Sequence, residues 1–336
     1  MLSDRRQRVL AALIEEYVAR ALPVGSRTLT ERYNLGVSSA TVRNELSVLE
    51  EEGYISQPHT SAGRIPTDFG YRAFVDKLLE SEPPTQDERY REAVDRLKSS
   101  ATELDDLLEQ TSSALARLTD CLSIVIAPSA MSLQIRQVTL ISLSDTRAIL
   151  VLVTKDGQVF NRQMDFAQPI AADELARVQR VVNKAFGDNN LAEVEGLRSA
   201  DIEVFEHDPL LRMVTDEIID CLEEHALSRA HRLGMSSLMK KPEFQQSQSL
   251  LPIMQVLEDD TILLQVLDTS DEKDGKPVVK IGSENETEQL SGVSVIASQY
   301  GRGDAAGIVA VIGPTRMNYS KVLQAVRLAS DALQDD

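Results

Sequence analysis

SSATVRNELSVLEEEGYISQPHTSAGRIPTDFGYRAFVD, residues 38–76, carries the signals that decide the fold of the N-terminal region. Ser38 stands as a helix N-cap, and the helix it opens runs to about Glu52, with Val42, Leu46 and Leu49 on one apolar stripe. Ala40, Arg43, Asn44 and Ser47 point the opposite way, with Ser39 and Thr41 on the flanks. Gly53 breaks this helix. Residues 54–57 then read as a short strand, 58–63 as a turn-rich loop and 64–66 as a returning strand. Gly63 supplies a positive φ if that turn needs one. A fourth helix over residues 68–79 packs Phe69, Phe74, Val75 and Leu78 behind the hairpin.

Upstream, Val9, Leu10, Leu13, Ile14, Tyr17 and Val18 recur at three- and four-residue spacing, an amphipathic first helix with Asp4 as its N-cap and Pro23 beyond its end. Ser26 opens a short second helix, closed by the turn Asn34-Leu35-Gly36. Helix, short helix, turn, helix and hairpin is the order of a winged helix-turn-helix, whose third helix enters the major groove. The outward residues suit that task. Arg43 can fork onto guanine O6 and N7, Asn44 onto adenine N6 and N7, and Ala40 can touch a thymine methyl. Ser39 and Thr41, with the helix N-terminus, suit phosphate oxygens, Ser47 shares the outward face, and His59, Thr60, Ser61 and Arg64 at or near the wing tip favour phosphate or minor-groove contact. A merely solvated helix face is the plain alternative for the third helix taken alone; the hairpin behind it favours DNA.

Composition bounds the other classes. The chain has 336 residues, enough for two or three domains, and is 42% hydrophobic and 26% charged. It carries 35 Lys+Arg against 53 Asp+Glu, a net of −18, which for the whole chain argues against nucleic acid or an anionic membrane. Residues 1–80, with nine Arg, Lys77 and eleven acids, hold only −1 of this. The longest apolar run, residues 148–153, is too short to span a bilayer. The first residues show no secretory signal, and Cys121 and Cys221 form no disulfide framework or metal knuckle, so a reduced cytoplasmic protein is expected. His225 and His231 lack the spacing of a metal pair, and Gly301-Arg302-Gly303-Asp304 lacks the Lys and hydroxyl of a phosphate loop. No enzyme constellation, cofactor site or metal site is expected.

Residues 80–86 read as a proline-containing linker. From Val94 to Leu122 apolar residues keep a heptad spacing, fit either for pairing across a dimer or for packing on the helix's own domain. Residues 137–143, 148–154 and 158–165 read as strands, the last two joined at Lys155-Asp156-Gly157, and 171–186 as a helix. Residues 210–233 and 253–267 read as helices, with a strand at 235–239 between them. Strands at 278–281, 293–300 and 306–312 and a closing helix over 318–333 complete an α+β pattern.

The stretch 38–76 resembles the signature of the HrcA family, bacterial heat-inducible transcription repressors; KIGSENE (280–286) and GIVAVIGPTRMNY (307–319) agree with it. The resemblance implies a winged-helix domain (1–80), a linker and long helix (81–120), a GAF-like domain in two pieces (121–187 and 268–336) and an inserted dimerising domain (188–267). It further implies a homodimer on the double-stranded DNA of an inverted-repeat operator upstream of chaperone operons, and activity that depends on the GroE chaperonin. The alternative within regulators is a repressor gated by a small effector in the GAF-like domain. An enzyme carrying a regulatory DNA domain, as in biotin-ligase repressors, lacks a Gly-rich catalytic loop here. A chaperonin-binding protein that does not regulate DNA is disfavoured by the intact third helix and wing.

Overall fold

The structure is a computed structural model. It describes residues 2–59, 62–80, 92, 95–97, 104–127, 135–155, 159–186, 208–228, 230–245, 247–267, 276–285, 290–301 and 306–334. The architecture is α+β, in two compact units.

The first unit comprises Met1–Val125, His231–Tyr300 and Ile308–Asp336. It begins with helices α1 (Asp4–Arg20), α2 (Ser26–Arg32) and α3 (Ser39–Glu51), strands β1 (Ile55–Ser56) and β2 (Ile65–Pro66), and helix α4 (Asp68–Glu80). Val9, Leu13, Ile14, Leu29, Val42, Leu46, Leu49 and Val75 close a small core among these elements. Ser3, not Asp4, caps α1, its side chain accepting from the Arg6 amide at 3.5 Å, while Asp4 sits in the first turn where a carboxylate favours the helix dipole. Tyr71 is the buried aromatic of α4. Phe69, expected in the core, is 55% exposed and stacks on Tyr54 with ring centroids 4.5 Å apart. The phase differs because Gly70 faces the hairpin, where a Cβ would lie 2.0 Å from the Tyr54 carbonyl oxygen.

The same unit continues with helix α5 (Leu104–Thr119) and strand β3 (Leu122–Ile126). The heptad run therefore stops short of Leu122: Asp120 takes a positive φ of 54°, and Leu122 opens a wholly buried strand. The apolar face of α5, with Leu108 and Leu115 buried, packs on the closing helix of its own unit.

Strands β4 (Ile135–Ser144), β5 (Arg147–Thr154) and β6 (Val159–Asp165) belong to the second unit, Ile126–Ala230 with Gly301–Gly307, as do helices α6 (Ala172–Phe186) and α7 (Pro209–Ser228). They form an antiparallel sheet of order β4-β5-β6, in register Val138↔Leu152 and Leu152↔Phe160. One face buries Val138, Leu150, Leu152 and Phe160 in a cluster with Val178 and Val182 of α6 and Val214 and Ile218 of α7. Helix α6 also covers the free edge of β4: Asn183 accepts from the Val138 amide and Gln179 from the Leu140 amide, each at 2.8 Å. The opposite face presents Ile141, Leu143 and Val159, at 47%, 53% and 62% exposure, beside half-buried Ile149, Val151 and Val153.

Back in the first unit come β7 (Ala230–Leu233), α8 (Met235–Met239), α9 (Ser247–Glu258), α10 (Asp260–Val266), β8 (Val278–Ile281), β9 (Val293–Tyr300), β10 (Gly307–Pro314) and α11 (Tyr319–Leu333). Five strands form a second sheet, ordered β7-β3-β10-β9-β8, on which α11 packs.

Residues 135–165 pair in a sheet of their own, within the second compact unit of Ile126–Ala230 and Gly301–Gly307, whereas a division at 121–187 and 188–267 is expected from the sequence. The strand expected at 235–239 is a short helix, and the strand precedes it: Gly234, at φ 98°, ends the strand and starts the helix. The linker at 80–86, beyond Glu80, and the turn residues Asp156 and Gly157 lie outside the described residues.

Both cysteines are buried thiols. Burial pushes the Cys121 thiol up to about 11, so little thiolate exists at neutral pH. Cys121 and Cys221 are therefore expected to resist iodoacetamide in the native chain and to react on unfolding; rapid native labelling, read by mass spectrometry, would contradict the packing.

Candidate nucleic-acid interface

α3 is held by its two ends and its inner stripe. Ser38 caps it, its Oγ accepting from the Thr41 amide at 3.2 Å and lying 3.0 Å from Thr41 Oγ1. Val42, Leu46 and Leu49, at 0%, 2% and 0% exposure, face the core. Ser39 and Ser26 hydroxyls meet at 3.2 Å, which ties the start of α3 to α2 across the turn at Gly36, φ 68°. Ala40, Arg43 and Asn44 are exposed on the outer face, and Ser47, half-buried, donates to the Arg43 carbonyl at 3.2 Å. This hydroxyl is thus turned back on the helix in the free chain.

The arginines of the first 80 residues are mostly committed. Arg5 and Arg6 pair with Glu45, and Arg6 also with Glu52. Arg20 and Arg32 share Glu16, Arg27 pairs with Glu31 at i,i+4, and Arg72 pairs with Asp76 and Glu284. Among the described residues, Arg8 and Arg43 alone of these nine arginines have no carboxylate partner. Arg43 is therefore the cation that α3 offers to a ligand.

Arg64 directly precedes β2, on the turn side of the hairpin. Its backbone bridges Val24, with N–H···O bonds of 2.8 Å in both directions, and its guanidinium donates Nε and Nη2 to Glu50 at 3.2 and 2.8 Å. Through that ion pair Arg64 fastens the turn side of the hairpin to the end of α3. Gly63 beside it has no positive φ; its role is close approach, since a Cβ would lie 2.6 Å from the Val24 carbonyl. His59 is exposed at the turn, its carbonyl accepting from Ala62 at 2.8 Å, whereas Thr60 and Ser61 lie outside the described residues.

Residues 105–323 match the family described as HrcA protein C terminal domain. A relative from Frankia casuarinae, named heat-inducible transcription repressor HrcA, is 39% identical over 97% of this chain and 96% of its own length. The chain belongs to the HrcA family. An HrcA of the same name from Streptomyces avermitilis is 40% identical over the same shares. A crystal structure of a hypothetical protein at 2.2 Å resolution has the same fold, with TM-score 0.65 and 26% identity over 99% of this chain and 98% of that one.

The three stretches that carry the HrcA resemblance meet in space. Asp68 and Arg72, from the first, bond Ser283 and Glu284 of the second, and Tyr71 packs on Tyr319 of the third with ring centroids 5.5 Å apart. Burial drives both phenols well above their ordinary range, so they are neutral. Asn285 organises the second stretch from within, donating to the carbonyls of Gly282, Leu290 and Val293 at 2.9, 3.2 and 2.8 Å. The motifs were legible in the chain, but their mutual contact, over some 200 positions, has no local signal. Among the described residues of this HrcA chain, no group of three His, Cys, Asp or Glu could hold a metal, and no helix is long and apolar enough to cross a membrane.

Proposed function

We propose that the chain is a homodimeric, sequence-specific transcription repressor whose residues 1–80 form a winged helix-turn-helix. The observation that carries this reading is the outward face of α3: a rigid, capped helix presenting Ala40, Arg43 and Asn44 with the arginine free of carboxylates. α3 enters the major groove, where Arg43 reads guanine and Asn44 adenine. Ser39, Thr41 and the helix N-terminus meet phosphates. Ser47, on release from the Arg43 carbonyl, and His59, Thr60 and Ser61 of the wing extend the contact. Arg64 serves it indirectly, by holding the wing against α3. The relatives' names, heat-inducible transcription repressors, supply the class of regulation, and the family resemblance supplies the inverted-repeat operator at chaperone genes.

The body around the five-stranded sheet is the GAF-like domain, and Ile126–Ala230 is the dimerising insert, acting in the cytoplasm. The open apolar face of β4-β5-β6 supports this assignment, because an exposed apolar sheet face of that extent calls for a partner surface. Val151→Asp is expected to turn a dimer into a monomer in sedimentation equilibrium; an unchanged dimer would move the interface elsewhere.

Dependence on the GroE chaperonin follows from the family resemblance and has a physical rationale. A repressor with a marginal fold reports unfolded-protein load by competing for chaperonin. Operator binding after refolding with and without chaperonin tests it. In the second reading the repressor is gated by a small effector. The space favouring it is a cavity of about 340 Å³ bounded by Ile14, Val18, Phe74, Met317 and Tyr319, between α1, α4 and the start of α11. A metabolite that fills it should raise the melting temperature. The repressor reading itself is tested by gel-shift titration on inverted-repeat duplexes at several salt concentrations, with two chains per duplex and a steep salt slope expected.

A further inference from the structure

Two polar clamps fasten the N-terminal helices to the rest of their unit. In the first, the Asp68 carboxylate, in the opening turn of α4, accepts from the Ser283 amide and hydroxyl, both at 3.0 Å. Gly282 makes room for it: at φ 53° it has no Cβ, and one would sit 2.3 Å from Asp68 Oδ2. One helical turn on, Arg72 donates Nε to Glu284 at 2.7 Å, and Nη2 both to the other oxygen of that carboxylate and to the Val279 carbonyl. The Ile281 amide pins the Glu284 carboxylate in turn, at 2.8 Å. In the second clamp Arg316, 14% exposed, donates to Glu243 at 2.6 Å and to the Val18 carbonyl of α1 at 2.8 Å.

These clamps reach α3 through rigid parts. The Thr67 hydroxyl joins the start of α4 to the Gly53 and Tyr54 carbonyls, at 2.7 and 3.0 Å. Arg64 joins the hairpin to Glu50, and Arg6 joins α1 to Glu45 and Glu52. The orientation of α3 is thus set from the loop after β8 and the loop before α11.

We propose that Asp68, Arg72 and Arg316 are positioning residues for operator spacing. By holding each α3 at a fixed angle to the body they make the dimer accept one separation of half-sites. The inference rests on the repressor reading above. Its physics is that of effective concentration: a second head bound through a stiff connection gains most when the second half-site lies where the connection places it, and loses that gain when it does not. A head on a loose connection tolerates many spacings and gains less at each. Added base pairs also rotate the second half-site about the duplex, by half a turn for about five.

The test uses the full chain. Wild type first selects a duplex from a random pool, and that duplex is remade with one, two or five base pairs added between its half-sites and as a single half-site. Wild type is expected to lose about tenfold or more at the altered spacings. Arg72→Ala and Glu284→Gln are expected to bind the selected duplex a few-fold more weakly, to vary less than about threefold with spacing, and to match wild type on the single half-site. Variants that keep the wild-type spacing profile would overturn the proposal, whether or not they bind more weakly overall. So would variants that bind the selected duplex more tightly, because the clamp would then hold the heads away from DNA. A wild type that selects no duplex would instead sink the repressor reading.

Discussion

An Arg43→Ala chain is expected to bind its operator about 1–3 kcal/mol more weakly and to lose discrimination at one base position. The expectation follows from what surrounds the residue. The carboxylate two residues on, Glu45, is already taken by Arg5 and Arg6, and Ser47 bonds only the Arg43 carbonyl. The guanidinium therefore breaks no ion pair before meeting a base edge. Arg64→Ala is the matched comparison. It releases Glu50 and loosens the wing, so it should weaken specific and mutant operators alike. Competition titrations against single-base operator variants separate the two. Unchanged base discrimination in Arg43→Ala would show that α3 does not read the groove as drawn.

The largest effect on stability is expected at Arg316. Removing it leaves the Glu243 carboxylate facing no cation in a largely buried place, with its second oxygen already lacking a hydrogen-bond partner, and strips the Val18 carbonyl of a donor. Breaking a buried pair from one side costs far more than the pair is worth, so Arg316→Ala should cost about 3 kcal/mol. The double variant Arg316→Met with Glu243→Met removes both charges and fills the volume, and should recover most of the loss. Urea unfolding midpoints measure both. A cost below about 1 kcal/mol for the single variant would mean that water reaches this pair freely.

How far the sequence could be read depended on the range of each interaction. The Ser38 cap, the Val42–Leu46–Leu49 stripe and the break at Gly53 are local, and the structure has them where the chain indicates. The strands over residues 135–165 were visible as alternation, but which sheet they join is decided by partners distant in sequence, and they pair among themselves. Leu122 continued a heptad by spacing alone, while the run LSIVI that it opens is equally a buried strand; the positive φ at Asp120 settles the matter, and no residue type announces it.

The interface shows the same division. The near-neutral balance of residues 1–80 indicated that arginines and acids offset one another, and the i,i+4 pair Arg27–Glu31 is evident from spacing. That Arg64 is spent on Glu50, and Arg72 on Glu284, depends on contacts spanning 14 and 212 positions. Those pairings leave Arg43 as the exposed free cation of α3 in a chain of net charge −18. In the proposed reading, an acidic body around a small reading face would suppress non-specific attraction to phosphate and leave recognition to base contacts.

The most direct test of that account is a specificity ratio. Duplexes selected by the wild-type chain from a random pool are compared with scrambled duplexes in fluorescence-anisotropy titrations at physiological salt. The account predicts an inverted repeat among the selected sequences, bound about a thousandfold or more tighter than the scrambled control. Equal affinity for both, or no binding to either, would contradict it.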